Sequence, residues 1–232
     1  MRPGPVTGRG RVVVTAGPTR ERIDPVRFIS NYSTGAFGYE IAREAAARGY
    51  RVTLVSGPVS LEPPGGVSVV NVESARQMKD AVEKAVKGAD CLVMAAAVSD
   101  WKARRPAARK LKRGAGRAAL ELVENPDIVA GIGRRRGREA GGVAGKGPGG
   151  RLRIVGFALE TDDLEKNALA KLRKKGLDVI VANSAGASSN PFGYNRVDIV
   201  ILDRAGRRTR VRVSTKAEAA KIILDRAFGF NI

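Results

Sequence analysis

The sequence predicts an α/β fold: a Rossmann-like, mostly parallel sheet with helices on both faces, plus a late antiparallel hairpin. Three observations predict it. Short β-branched runs end in glycine, helical periodicities lie between them, and the pattern changes character near the C-terminus.

Taken in order, Arg11 to Ala16 (RVVVTA) ends at Gly17-Pro18, and Arg51 to Ser56 (RVTLVS) ends at Gly57-Pro58. Both read as buried strands followed by turns. Between them, Gly38 to Arg48 carries Ala and Ile at helical spacing and stops at Gly49, a helix C-terminal signal. Strand, helix, strand is a βαβ unit. The pattern repeats with a strand over Val67 to Val72, a helix from about Ser74, its N-cap candidate, to Lys87, and a fully apolar strand over Cys91 to Ala97. A short helix opens at Asn125-Pro126-Asp127, with Asn as cap, Pro at the first position and Asp in the first turn. Then come a strand over Ile154 to Ala158, a helix from about Asp162 to Lys175, and a strand over Val179 to Ala182. Val197 to Leu202 and Thr209 to Val213 flank Gly206 as a hairpin, and a final amphipathic helix runs from about Thr215 to Phe228. The expected organisation is a flexible segment over residues 1–10 and one domain over 11–232.

Composition bounds the function. With 232 residues, 43% of them apolar, the chain can bury one substantial core. No run approaches the roughly 18 to 20 apolar residues of a membrane-spanning helix, so a soluble, cytoplasmic protein is expected. Cys91, the single cysteine, lies in an apolar run and reads as a buried structural thiol. Histidine is absent, which excludes Ser-His-Asp and Cys-His catalysis and His-ligated zinc. The remaining Lys, Arg, Asp, Asn and backbone groups suit phosphate chemistry, where positioning and charge neutralisation dominate.

The formal charge is +19, concentrated in Arg/Gly-rich stretches at Arg2 to Arg11, Arg104 to Arg117 and Arg134 to Arg153, which read as mobile loops. Aromatics amount to 5% and none is interleaved with these stretches, so specific nucleic-acid recognition is not expected.

In parallel sheets ligands bind beyond the strands' carboxyl ends. There the sequence places Thr15 to Thr19, Ala95 to Asp100, Gly156 to Ala158 and Ala182-Asn183. Ser33, Thr34 and Gly35 precede the first helix, where free N–H groups could meet a phosphate or the hydroxyls could simply cap the helix. Arg27 and Asn31 read either as an anion clamp or as solvated loop residues. Lys110 to Arg113 is a flap over a polyanion or a solvated basic loop. Asp100 suits a ribose hydroxyl, a metal ion or a plain turn. Lys171 and Lys175 lie one turn apart on a helix face that is ordinarily solvated.

Together these stretches resemble one family, the phosphopantothenate-cysteine ligases. The resemblance runs through Thr15-Ala16-Gly17-Pro18-Thr19-Arg20-Glu21, Ile23 to Asn31, Ser33-Thr34-Gly35, Val55-Ser56-Gly57-Pro58, Ala95 to Asp100, Lys110 to Arg113, Asn125 to Ile128, Gly156 to Thr161 and Val181-Ala182-Asn183. It covers nearly the whole chain from Arg11. It implies that the carboxylate of 4′-phosphopantothenate attacks a nucleotide triphosphate, CTP or alternatively ATP, to give an acyl-nucleotide that L-cysteine then captures.

By position, Asn31, Lys110 and Arg27 would be catalytic. Gly17, Ser33, Thr34, Gly35, Ala96, Ala97, Asp100, Lys110, Asn125, Pro126, Asp127, Ile128, Phe157, Lys171 and Lys175 would bind nucleotide. Mg2+ would ride on the nucleotide phosphates, with its protein ligands unassigned, and no flavin is implied. A homodimer is implied, with the late hairpin as part of its surface, and so is a separate or fused flavin decarboxylase. The chain departs from the family at Arg113, where Lys is common, at Ser99, where Ala is common, and in the Arg/Gly-rich stretch from Gly133 to Arg151. The alternative enzyme class is an NAD(P)-dependent oxidoreductase of doubly wound fold. Against it, no complete glycine fingerprint follows the first strand.

Overall fold

The computed structural model describes residues 10–114, 119–138, 151–184 and 197–229. Residues 1–9 of the expected flexible segment over 1–10, and the parts of the basic stretches at 115–117 and 139–150, lie outside the described residues.

In chain order the first elements are β1 (Arg11–Ala16), β2 (Arg20–Arg22), β3 (Phe28–Ser30), α1 (Ala36–Ala47), β4 (Arg51–Ser56), β5 (Val67–Asn71), α2 (Ala75–Ala85) and β6 (Cys91–Met94). There follow β7 (Trp101–Ala103), β8 (Leu122–Glu124), α3 (Ile128–Arg138), β9 (Arg153–Glu160), α4 (Leu164–Lys174), β10 (Val179–Ser184), β11 (Val197–Asp203), β12 (Arg208–Val213) and α5 (Lys216–Phe228).

Eight strands form one sheet in the order β12-β11-β10-β9-β6-β1-β4-β5. From β5 to β10 the pairs are parallel, whereas β11 and β12 pair antiparallel. The parallel strands therefore follow the doubly wound order, with its switch point between β1 and β6.

Helices cover both faces. Ile41 and Ala42 of α1 and Ile223 and Leu224 of α5 are buried with Val12, Val14 and Val181 on one side. Met78 and Val82 of α2, Ile132 of α3 and Leu172 of α4 are buried with Val13, Leu92 and Ile154 on the other. Each fully buried Ile or Leu contributes about 1.5–3 kcal/mol of transfer free energy. The helix ends carry the expected signals. Ser74 caps α2 in a capping box with Gln77, and Gly49, at φ 84°, donates its N–H to Ala46 O at 2.9 Å after α1.

Four features differ from the sequence reading. The strand expected over Cys91 to Ala97 ends at Met94, because β1 and β6 part at the switch point. There the Thr15 hydroxyl accepts the Ala96 N–H at 3.1 Å, and Gly17 O accepts the Ala97 N–H at 2.9 Å. Two small antiparallel ladders, β2 with β3 and β7 with β8, were not expected, since three-residue strands are too short to show a period.

The cap of the third helix is Asp127 rather than Asn125, with Asp127 Oδ1 accepting the Ala130 N–H at 3.0 Å. Finally, Arg134 to Arg138 is helical rather than part of a loop. Arg136 there is only 6% exposed, and its guanidinium donates to the Leu152 and Gly176 carbonyls and to Asp178. Carbonyl and carboxylate partners are what make burial of that cation tolerable.

Candidate functional site

A cavity of about 590 Å³ opens at the carboxyl ends of β6, β9 and β10. Its walls include Asn31 to Phe37 ahead of and into α1, Met94 to Asp100 at the end of and after β6, Asn125 to Val129 at the start of α3, Gly156 to Leu159 of β9, Lys171 of α4 and Lys175 at its C-cap, with Asn183 of β10 and Lys216 of α5 also lining it. Of the residues singled out in the sequence, Asn31, Ser33, Thr34, Gly35, Ala96, Ala97, Asp100, Asn125, Pro126, Asp127, Ile128, Phe157, Lys171 and Lys175 are thus brought together. Gly17, Arg27 and Lys110 do not line the cavity.

The turn ahead of α1 is shaped by close backbone approach. Gly35 has φ 78°, and a Cβ there would lie 2.8 Å from Val59 Cγ1 and 3.2 Å from Gly17 N. Gly17, at φ 74°, therefore lies directly behind the cavity wall and lets the two loops touch. Gly38 does the same for helix and strand, since its Cβ would meet Ala16 Cβ at 2.5 Å. The Ser33 and Thr34 hydroxyls accept the Gly35 and Ala36 N–H groups at 3.3 and 3.4 Å, long contacts that an anion with shorter bonds can replace.

Asn31 follows β3 directly, and its side-chain amide donates to Val98 O at 3.0 Å and Ala97 O at 3.3 Å. It thereby fixes the post-β6 loop that bears Asp100, an exposed carboxylate of the cavity rim. Ser99 in the same loop gives its N–H to Thr19 Oγ1 at 2.9 Å and its hydroxyl to Trp101 O at 2.7 Å, a tether that Ala at this position would lack.

Arg27 serves a different task. Its guanidinium donates to Asp24 Oδ2 at 2.6 and 3.0 Å and to Leu111 O at 2.7 Å. The same Asp24 oxygen accepts the Leu111 N–H at 3.1 Å, and Ala107 N–H reaches Ile23 O at 2.8 Å. The basic segment from Arg104 is therefore docked on the loop between β2 and β3. Lys110, beside this anchor, is exposed and has no ion-pair partner among the described residues. The Arg27 guanidinium, with the three backbone N–H groups, holds the Asp24 carboxyl far below the usual carboxylate range.

On the opposite wall, Asn125 donates its side-chain amide to Ser99 O at 3.0 Å, while its Oδ1 is buried without a hydrogen-bond partner among the described residues. Lys171 of α4 and Lys175 at its C-cap carry carboxylate partners, Lys175 with Asp127 at 3.1 Å and Lys171 with Glu160 at 2.6 Å. Phe157 packs against Phe37, ring centroids 5.5 Å apart.

Two participants were missed in the sequence. Asp24 lies in the Ile23 to Asn31 stretch that carries the resemblance, but nothing in that stretch assigned it a role of its own. Lys216 lines the cavity, is 8% exposed and stands with its ammonium 5.6 Å from the centre of the Phe37 ring. Its signal was a cation in the first turn of a helix, where the dipole opposes it.

The described residues contain no group of three or more His, Cys, Asp or Glu side chains placed to hold a metal, and no helix among them is long and apolar enough to cross a membrane.

Comparison with known proteins bears on this arrangement. The family model described as "DNA/pantothenate metabolism flavoprotein C-terminal domain" matches residues 7–230. The "Coenzyme A biosynthesis bifunctional protein CoaBC" of Mycobacterium bovis is 43% identical over 229 residues, 96% of this chain and 53% of that protein. A "Cysteine/Cysteine sulfinic acid decarboxylase" from an unknown prokaryotic organism is 41% identical over 221 residues, 95% of this chain and 58% of the relative. The chain thus spans somewhat over half the length of these relatives. Among solved structures, the C-terminal domain of CoaBC matches with 33% identity and a TM-score of 0.74, covering 94% of both chains.

Proposed function

The chain belongs to the DNA/pantothenate metabolism flavoprotein C-terminal domain family, and from that membership we propose that it is the ligase that joins 4′-phosphopantothenate to L-cysteine in coenzyme A biosynthesis. The observation that carries the reading is the gathering of Asn31, the Ser33 to Gly35 turn, Asp100, Asn125 to Asp127, Phe157, Lys171 and Lys175 around one cavity.

In the proposed reaction the pantothenate carboxylate attacks the α-phosphate of CTP, forming an acyl-cytidylate and releasing pyrophosphate. The cysteine amine then attacks the acyl carbon and CMP leaves. Lys171 and Lys175 would exchange their carboxylates for nucleotide phosphate, and the buried Asn125 Oδ1 would accept a donor from base or ribose. Asn31, poised beside the Ala97 and Val98 carbonyls, would stabilise the intermediate. Lys110, on a segment held at Leu111, would reach over the phosphates for the second step, and Arg27 supports it through that anchor.

Magnesium fits as an ion carried by the triphosphate: Asp100 and Asp127 line the cavity, and no group of three or more His, Cys, Asp or Glu side chains among the described residues is placed to hold a metal by itself. It would neutralise phosphate oxygens. Flavin chemistry is assigned to the remaining part of the longer relatives, with a decarboxylase as the companion activity.

A cytoplasmic homodimer completes the reading. Phe28, Tyr32, Trp101, Leu111 and Leu122 are exposed around the two small ladders, an apolar surface that suits a second copy. The late hairpin suits it less, because the outer strand β12 carries Arg208, Arg210 and Arg212, paired with Glu165 and Asp198.

The decisive experiment is pyrophosphate release with 4′-phosphopantothenate and either CTP or ATP, with and without cysteine. Release that requires phosphopantothenate, and ligated product only when cysteine is added, is expected. No release with either nucleotide, together with thermal stabilisation by NADPH alone, would replace the ligase with an oxidoreductase.

A further inference from the structure

A second cavity, of about 320 Å³, opens at the opposite end of the sheet. Arg153 begins β9, Asp178 immediately precedes β10, and Asp203 ends β11, which runs antiparallel to β10, so these positions gather at the amino ends of the parallel strands. Arg204 and Arg207 come from the turn into β12, and Arg151 from the approach to β9. Phe157, in the wall of the larger cavity, lies four residues beyond Arg153 along β9, about 13 Å at the rise of a strand. A compact ligand in one cavity therefore does not reach the other.

Both acids of this cavity are committed to the fold. Asp178 Oδ2 accepts the Ile154 N–H at 2.7 Å and a bond from the buried Arg136 guanidinium. Asp203 Oδ1 accepts the Ala205 and Arg207 N–H groups at 2.9 and 3.0 Å, which shapes the turn. Asp203 Oδ2 takes Arg207 Nε at 2.7 Å and stands 3.7 Å from Arg226, which is 8% exposed. Arg136 and Arg226 thus offset the two carboxylates from behind.

The four arginines that line the cavity are left in excess. Arg151 and Arg204 stand 3.8 and 3.6 Å from Asp178 Oδ1, ion pairs too long to be hydrogen bonds, and Arg204 Nε donates instead to Leu177 O. Arg153 makes no ion pair among the described residues, and its Nε is buried without a hydrogen-bond partner among them. A dry guanidinium nitrogen with no acceptor is costly by itself. Guanidinium groups surplus to their acids, in a concave site, focus positive potential and present forked donors that match phosphate oxygens. An excess of several charges is met better by a multivalent phosphate than by one carboxylate, and the volume lies at the low end of ligand sites, which favours a compact anion.

We propose that this arginine-lined cavity is a second anion site, which binds a compact phosphate-bearing ligand through Arg151, Arg153, Arg204 and Arg207. It stands apart from the ligase reading, because none of the residues given a role in that reaction takes part. Two sources share the chemistry: a free inorganic anion such as pyrophosphate, and the terminal phosphate of an organic ester.

The test is calorimetric titration of the full chain with inorganic pyrophosphate and with glycerol 3-phosphate, at constant ionic strength so that screening is not read as binding. Wild type is compared with Arg153→Gln, Arg151→Gln and Lys171→Ala, the last altering only the larger cavity. Losing a charge-assisted bond is expected to weaken binding about tenfold or more in each arginine variant, and the component lost there persists in Lys171→Ala. Arginine-dependent binding of pyrophosphate alone assigns the site to a free inorganic anion. Arginine-dependent binding of glycerol 3-phosphate, with or without pyrophosphate, assigns it to a terminal phosphate.

Failure of the wild type to bind either ligand overturns the inference, as do affinities in both arginine variants equal to those of wild type. Arg151 is exposed, so Arg151→Gln carries the test if Arg153→Gln does not fold. Arginine-dependent binding in a protein that forms no phosphopantothenoylcysteine would sink the ligase reading and leave this inference standing.

Discussion

Asp24 and Leu111, 87 residues apart, are joined twice: the Leu111 N–H donates to Asp24 Oδ2 at 3.1 Å, and Arg27, held by the same carboxylate, donates to Leu111 O at 2.7 Å. A buried acid thus holds the basic segment by both its donor and its acceptor, one residue from Lys110.

Asp24→Asn is expected to release that segment, with Leu111 amide exchange accelerating about tenfold or more. The pH dependence has a definite sign. Because Arg27 lowers the folded carboxyl's pKa, the stabilisation is fully present above the unfolded carboxyl's value of about 4 and is lost as pH falls through the lower folded value. The difference in melting temperature between wild type and Asp24→Asn should therefore stay constant from pH 8 to about pH 5 and shrink under stronger acid. A difference that vanishes already near neutrality contradicts the assignment.

For Asn31→Ala, the side-chain amide that fixes Ala97 and Val98 is gone. Single-turnover kinetics should show intermediate formation or onward reaction slowed by on the order of a hundredfold. Lys110→Ala should leave pyrophosphate release closer to wild type and slow transfer to cysteine. The reverse ordering would mean that the two residues have exchanged roles.

Gly38→Ala sets two effects against each other. Alanine in a helix interior is ordinarily better than glycine by about 1 kcal/mol. Here its Cβ would lie 2.5 Å from Ala16 Cβ and 2.7 Å from Thr15 O, against a strand that cannot move without disturbing the sheet. Overpacking of about 1–3 kcal/mol or more should win, and calorimetry should show a lower melting temperature; a raised one would mean that α1 shifts at little cost.

Lys171→Ala and Lys175→Ala should separate binding from stability. Half-exposed ion pairs are worth about 0–1 kcal/mol, so melting should barely change. Nucleotide affinity, measured by titration, should drop about tenfold in each. Unchanged affinity in both would remove α4 from the site.

Burial pushes the Cys91 thiol up to about 12, leaving almost no thiolate at neutral pH. Native protein at pH 8 should therefore fail to react with Ellman's reagent, and protein unfolded in guanidinium should release one equivalent of thionitrobenzoate per chain. Rapid labelling in the native state would place Cys91 outside the core.

Much of the candidate site was legible before any coordinates, because its residues follow strands or begin helices, and local periodicity marks those boundaries. Asp127 shows the limit of such reading. Cap and first turn were two residues out of register, since Asn125 and Asp127 are both good caps and only the backbone decides between them. Arg136 shows another limit: in sequence it belongs to a glycine-rich basic run, yet the Leu152 and Gly176 carbonyls and Asp178 draw it into the interior.

From the sequence alone came the alternation of strands and helices, the doubly wound class, the buried cysteine and the loops that line the cavity. These are consequences of hydrophobic period and turn chemistry, which act over a few residues. Tertiary structure alone decided that Asp24 would hold Leu111 and that Lys216 would come to rest over Phe37. Those pairings join residues 87 and 179 positions apart, and only the packing of α5 against α1 and the docking of a basic loop on a short ladder bring them within reach.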